Sequence, residues 1–160
     1  MKYNRFEELP VWNAAIELAV DVFALTANTR FRGHTGTRNQ LENATVSISN
    51  NIAEGFERGT TQELLTFIYI SRGSSGEVRS MLHLLDRLPE FINFKSEISD
   101  LRAKAESISR QLRAWADSLQ NTEIRGTRYL NDKSRRMDKQ RREREEFLKE
   151  PEEIRNRKTL

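Results

Sequence analysis

The chain has 160 residues, with 27 Lys and Arg, 24 Asp and Glu, and no cysteine. This length favours one domain with an extension. The lack of cysteine excludes a disulfide framework, a thiolate metal site and a cysteine nucleophile. No segment approaches the roughly 18 apolar residues that span a bilayer, and no apolar stretch of a signal peptide follows the first residues. We therefore expect a soluble cytoplasmic protein without membrane contact.

Few prolines and glycines, and almost no alternating β-branched residues, favour an all-α fold, in which four helices are predicted. The first begins at Pro10 and stops before Arg32, and a polar loop over residues 33–36 follows. The second runs from about Thr37 to Phe56, and Gly55 and Gly59 mark its end. The expected inward residues are Trp12, Ile16, Ala19 and Phe23 in the first helix, and Leu41, Ala44, Ile48 and Ile52 in the second.

The third predicted helix opens with a capping box, in which Thr60 and Glu63 satisfy free N–H groups reciprocally. This helix runs over residues 61–88, and Pro89 closes it. The fourth runs over about 94–120 with one apolar seam. The expected inward residues are Leu64, Phe67, Ile68, Val78, Met81, Leu82 and Leu85, then Ile98, Leu101, Ala105, Ile108, Leu112, Trp115 and Leu119. Short connections predict an up-down-up-down four-helix bundle over residues 1–120.

The basic residues are concentrated beyond the bundle. Residues 1–120 carry 14 Lys and Arg against 15 Asp and Glu, whereas residues 121–160 form an Arg- and Glu-rich extension with 13 against 9. Such an asymmetry indicates an anionic partner such as nucleic acid, although a solvated charged helix is the alternative. With Tyr129 as the sole aromatic residue of 125–144, base stacking there has little support. The candidate phosphate contacts are Arg125, Arg128, Lys133, Arg135, Arg136, Lys139, Arg141, Arg142 and Arg144.

Polar residues interrupt the second and third helices where a core is expected. On one face of the second helix lie Ser47, Asn51 and Glu54, and Ser74 and Glu77 share a face of the third. A buried polar group without a partner costs roughly 1–3 kcal/mol, so these five residues predict an inter-helix or assembly hydrogen-bond network. We expect Gly73 and Gly76 to let the helix backbones approach.

The functional alternative to this structural network is a catalytic carboxylate pair formed by Glu54 and Glu77. No base, nucleophile or metal-ligand set accompanies the pair in the sequence. A di-metal bundle uses Glu-x-x-His pairs, and neither His34 nor His83 has a glutamate three residues before it. The run of residues 73–76 lacks the spacing of a phosphate-binding loop. We expect no catalytic residue, no metal and no cofactor.

Several of these residues occur in a specific pattern. Besides Leu9, Pro10, Val11 and Trp12, the pattern comprises Gln40, Ala44, Ser47, Asn51, Ile52, Ala53, Glu54 and Gly55, then Glu63, Phe67, Gly73, Ser74 and Glu77. In this pattern the chain resembles, over about residues 6–120, the four-helix-bundle family encoded in intervening sequences of bacterial 23S ribosomal RNA genes. That family includes the accessory variability determinant of diversity-generating retroelements.

The resemblance implies a homopentameric ring of bundles without enzymatic activity. In retroelements such a protein binds the reverse transcriptase and its template RNA, and it supports error-prone cDNA synthesis. Since the bundle is nearly neutral, we expect the extension to carry the contacts with RNA and cDNA. The alternative is a structural or protein-interaction oligomer, encoded in a 23S rRNA intervening sequence, that has no RNA role.

Overall fold

The computed structural model describes residues 3–120, which contain four α-helices and no β-strand. The helices are α1 (Pro10–Thr26), α2 (Thr35–Glu57), α3 (Thr61–Leu85) and α4 (Lys95–Gln120). Short 3-10 helices lie at Phe6–Glu8, Thr29–Gly33 and Pro89–Phe94. The predicted all-α class is confirmed. Within this part of the chain, no helix is long and apolar enough to cross a membrane.

The four helices form a closed bundle. α1 packs against α2 and α4, and α3 also packs against α2 and α4. Ser47 of α2 lies opposite Ser74 of α3, while Gly55, two turns further along α2, lies opposite Phe67. The residue numbers therefore run in opposite directions across this seam, as in an up-down-up-down bundle. The largest fully buried side chains are Phe31, Phe91, Leu18, Leu41, Ile48, Ile52, Leu64, Ile68, Leu82, Leu85, Ile98 and Ile108.

The predicted inward stripe of α1 is wrong at Ile16 and Phe23, whereas Ala19 is buried and Trp12 packs against the core. Ile16 is 36% exposed and Phe23 is 47% exposed, and Trp12 is only half-buried. Of the four predicted residues only Ala19 is buried. The core residues of α1 are instead Val11, Ala15, Leu18, Val22 and Leu25. Because α1 carries apolar residues at helical spacing on two faces, periodicity alone could not decide which face turns inward.

The helix boundaries differ slightly from those expected. α2 begins at Thr35, inside the predicted polar loop, and α3 ends at Leu85, after which the Pro89–Phe94 3-10 helix forms the connection. The capping box is half formed: Thr60 Oγ1 accepts the Glu63 N–H at 3.2 Å. The Glu63 carboxylate accepts the Thr60 hydroxyl at 2.8 Å rather than a backbone N–H. A single threonine therefore organises the start of α3.

The seam of α4 agrees with the prediction. Ile98, Leu101, Ala105, Ile108 and Leu112 are buried, and Trp115 and Leu119 pack against the core with part of their surface exposed. Large apolar side chains such as these contribute roughly 1.5–3 kcal/mol each when fully buried. The extension 121–160, with its nine candidate basic residues, lies outside the described residues.

Candidate functional site

Polar side chains join α2 to α3 near the middle of their seam. Ser47 Oγ and Ser74 Oγ are 2.9 Å apart, and Asn51 Nδ2 donates to Ser47 Oγ at 2.9 Å. The Asn51 amide also donates to the Ser47 carbonyl at 2.6 Å. Ser74 is buried, whereas Ser47 and Asn51 are half-buried. Three of the five predicted network residues are thus connected, and the inter-helix bond lies within one chain.

The two glutamates of the predicted network stand apart from it. The Glu54 carboxylate accepts a hydrogen bond from Arg58 Nη2 at 2.6 Å, one turn further along α2, and this bond raises the pKa of Arg58. Glu77 is exposed and forms no hydrogen bond or ion pair with any residue the structure describes. Among the described residues, the network within one chain joins the serine and asparagine members, because both carboxylates lie at exposed positions. A contact of the glutamates between copies stays a prediction. No contact pairs Glu54 with Glu77.

Two buried serines that the sequence interpretation left out carry further inter-helix bonds. Ser71 Oγ donates to the Ile48 carbonyl of α2 at 2.8 Å. Ser75 Oγ donates to the Ala105 carbonyl of α4 at 2.7 Å. Both serines are fully buried. Their signal was present in the sequence, because they fall at steps of three and four within the apolar stripe of α3.

The glycine that allows close helix approach is Gly55. A Cβ atom placed on it would lie 2.6 Å from Phe67 Cβ of α3. Gly73 and Gly76 have open space at the equivalent position, so the expectation that they bring backbones together is wrong. They lie on the exposed side of α3. Gly55 therefore sits inside α2 and permits packing, instead of marking the end of that helix.

The outer side of α1 and α2 carries a patch of exposed apolar and amide side chains. Ile16, Val20 and Phe23 follow one stripe of α1, and Val20 is 64% exposed. Phe23 shares a groove of about 430 Å³ with Asn43 and Asn50 of α2, and the carboxylates of Glu42 and Glu54 also line this groove. No residue between 43 and 53 is charged. We call the surface of these five uncharged residues the neutral face.

The described part of the chain contains no cluster of three or more His, Asp or Glu residues able to hold a metal ion. His34 lies at the start of α2, where its Nε2 is 2.8 Å from Glu90 Oε1. His83 lies beside Arg102. Both histidines are thus explained by local contacts.

With the bundle and its surfaces defined, comparison with known proteins assigns the family. The chain belongs to the 23S rRNA-intervening sequence proteins, whose family model matches residues 7–114. The fold is similar to the crystal structure of a protein of unknown function from the S23 ribosomal protein family of Bacteroides thetaiotaomicron. The TM-score is 0.59 at 17% identity, over 66% of this chain and 97% of that one. At this identity the likeness concerns the fold. No curated protein matches the chain significantly.

Proposed function

We propose that the protein is a non-catalytic scaffold that assembles with copies of itself and binds RNA. The specific role that we propose is that of the accessory variability protein of a diversity-generating retroelement. In this role a cytoplasmic homopentamer binds a reverse transcriptase and its template RNA, and supports error-prone cDNA synthesis. The observation that best supports a scaffold function is the neutral face. It exposes apolar and amide side chains in a chain whose residues are 32% charged.

The composition of the neutral face supports self-assembly. Contiguous exposed apolar residues on a soluble domain mark contact surfaces, and the centres of protein interfaces are depleted of charge. A closed ring requires two different patches on each copy. Ile70 of α3, which is 47% exposed, offers an apolar residue outside the neutral face. Amides such as Asn43 and Asn50 add directional hydrogen bonds, which fix the register between copies.

The basic extension supports RNA binding. Each phosphate that a lysine or arginine neutralises releases counterions, so the affinity falls as salt rises, with a log–log slope of about −0.7 per contact on single strands. Segment 125–144 holds nine basic residues against three acidic ones. These residues supply enough positive charge for several phosphate contacts. The bundle taken as a whole has no such excess of positive charge.

A salt titration of the full chain tests the RNA function, with a labelled RNA hairpin that has single-stranded flanks as the probe. We expect steep salt dependence, and a slope shallower by about 1.4 for R135Q/R136Q. The matched control is R58Q/R110Q, which removes two arginines already bonded to Glu54 and Glu106. Salt-independent binding, or equal slopes for the two double variants, would contradict the proposal.

A second candidate is a structural or protein-interaction oligomer encoded in a 23S rRNA intervening sequence, without an RNA role. The near balance of 14 basic and 15 acidic residues over 1–120 favours it. The neighbouring genes discriminate between the two candidates. A reverse transcriptase gene with a repeat pair, whose product co-purifies with this protein, supports the retroelement role. An enclosing ribosomal RNA gene, together with absent RNA binding, supports the second candidate.

A further inference from the structure

One exposed stripe of α3 runs beside α4. Its residues are Tyr69, Arg72, Gly76, Arg79 and His83, which share a helix face because the steps are three and four. Both ends of the stripe contact α4. Gln120 Nε2 donates to Tyr69 Oη at 2.9 Å, and Arg102 Nη1 lies 2.9 Å from His83 Nδ1. Arg72 and Arg79 therefore lie on the same helix face, between the two contacts. We call this stripe the arginine groove.

Neither arginine of the groove is paired with a carboxylate of the residues that the structure describes. Arg72 and Arg79 are half-buried, and neither forms an ion pair or hydrogen bond with any residue between 3 and 120. The α4 carboxylates Glu106 and Asp117 are each paired with an arginine of their own helix. A partly desolvated guanidinium without a partner is costly, so this groove favours an anion.

The spacing of the two arginines suits an extended strand. Gly76 is exposed, and a Cβ placed on it would meet nothing within 4 Å, so the surface between the arginines is open. The seven-residue spacing of Arg72 and Arg79 separates them by about 10 Å along the helix, at about 1.5 Å per residue. Two phosphates of one strand can therefore be engaged separately.

An aromatic ring lies at one end of the same stripe. Tyr69 is 43% exposed, and its hydroxyl is held by Gln120 at the end of α4. Single-strand-binding surfaces combine positive charge for the backbone with aromatic rings on which bases stack, irrespective of sequence. Guanidinium groups are suited to bidentate contact with phosphate. The combination favours nucleic acid over an acidic peptide, which has no base to stack.

We propose that the arginine groove binds single-stranded RNA, with Arg72 and Arg79 on phosphates and Tyr69 stacked against a base. This inference rests on the RNA-binding function proposed above and adds a contact surface on the bundle wall. Gln120, at the Tyr69 end of the groove, is the residue from which the sequence continues into the basic extension.

The test is a fluorescence-anisotropy titration of the full chain with labelled oligoadenylate RNA over a range of salt concentrations. We expect R72Q/R79Q to bind several-fold more weakly and to reduce the log–log salt slope by about 1.4. R72K/R79K should retain most of the slope. The charge-matched control is again R58Q/R110Q, whose arginines are already paired. Tyr69→Leu should weaken binding without changing the slope, and Tyr69→Phe, which keeps the ring, should bind like the original chain.

The outcomes separate this inference from the proposed function. Strong salt-dependent binding by the original chain, with R72Q/R79Q indistinguishable from R58Q/R110Q, would overturn the arginine groove and leave RNA binding through the extension intact. If the original chain binds no RNA, both proposals fail. For each variant, circular dichroism measures the helix content and sedimentation measures the oligomeric state. If R72Q/R79Q changes the oligomeric state, the two arginines serve an interface between copies, and the inference is wrong.

Discussion

The outer sides of α4 and α2 differ in kind although both are exposed helix surfaces. The exposed side of α4 carries both signs of charge along its length, and several of the charges pair at i,i+4, as Arg110 does with Glu106. α2 has no charged residue between positions 43 and 53 and lies beside the exposed apolar stripe of α1. A surface rich in paired charges is stable in water, whereas a neutral amide and apolar surface gains by contact. This difference is the reason why the proposed contact between copies is assigned to the α1–α2 side of the bundle.

The largest effect is expected from charging the neutral face. V20D/F23D would place two carboxylates in the proposed interface, where each desolvated charge costs several kcal/mol. We expect sedimentation velocity to show monomers for this variant and an oligomer for the original chain. The control S99D/Q111D adds the same charge at exposed positions of α4 and should leave the oligomer intact. If V20D/F23D still assembles, or if the original chain is a monomer, the assembly proposal is contradicted.

The next largest effect is expected when a glycine in a helix–helix contact, rather than one on an exposed surface, is replaced by alanine. Gly55→Ala would force its Cβ against Phe67, and we expect a loss of about 1–3 kcal/mol in the free energy of unfolding. Gly76→Ala, at an open helical position, should instead raise that free energy by about 0.5–1 kcal/mol. Urea denaturation measures both. Equal effects for the two variants would mean that α2 and α3 do not approach at Gly55.

A smaller effect should follow from removing one buried hydroxyl in the α2–α3 seam. Ser71→Ala loses the hydrogen bond to the Ile48 carbonyl, and we expect a loss of about 1 kcal/mol. The control is Ser118→Ala on the exposed side of α4, where the change should stay within about 0.5 kcal/mol. Thermal unfolding followed by circular dichroism compares them. If Ser71→Ala leaves the free energy of unfolding unchanged, the buried hydroxyl does not stabilise the seam.

The smallest effect is expected at the surface ion pair between α4 and α1. The hydrogen bond to Asp21 raises the pKa of Lys104 above its ordinary value of 10.5, but both side chains are largely exposed. We therefore expect Lys104→Gln to cost less than about 1 kcal/mol. Because the folded pKa is the higher one, the stabilisation is complete below about 10.5 and is lost as the pH rises through the raised pKa. Unfolding curves of both proteins should converge only at strongly alkaline pH, and a difference that grew there would contradict this sign.

Sequence patterns predicted α4 and the start of α3 well. The single apolar stripe through Ile98 and Leu112 leaves α4 only one way to face the core, and Thr60 is a side chain suited to cap a helix. The same method failed for α1, where Ile16 and Phe23 share helical spacing with the residues that are buried. It also assigned the close approach to Gly73 and Gly76 when Gly55 provides it.

The amino-acid sequence by itself determined four helices, their order, the family pattern and the separation of a nearly neutral bundle from a basic extension, because these follow from local propensity, periodicity and composition. The tertiary structure alone decided how each helix is rotated. That rotation placed Ser71 and Ser75 inside, turned Glu54 and Glu77 outside, and left Arg72 and Arg79 half-buried on the side of α3 beside α4. Helical periodicity specifies the spacing of side chains, but only packing against neighbouring helices selects the face that is removed from water.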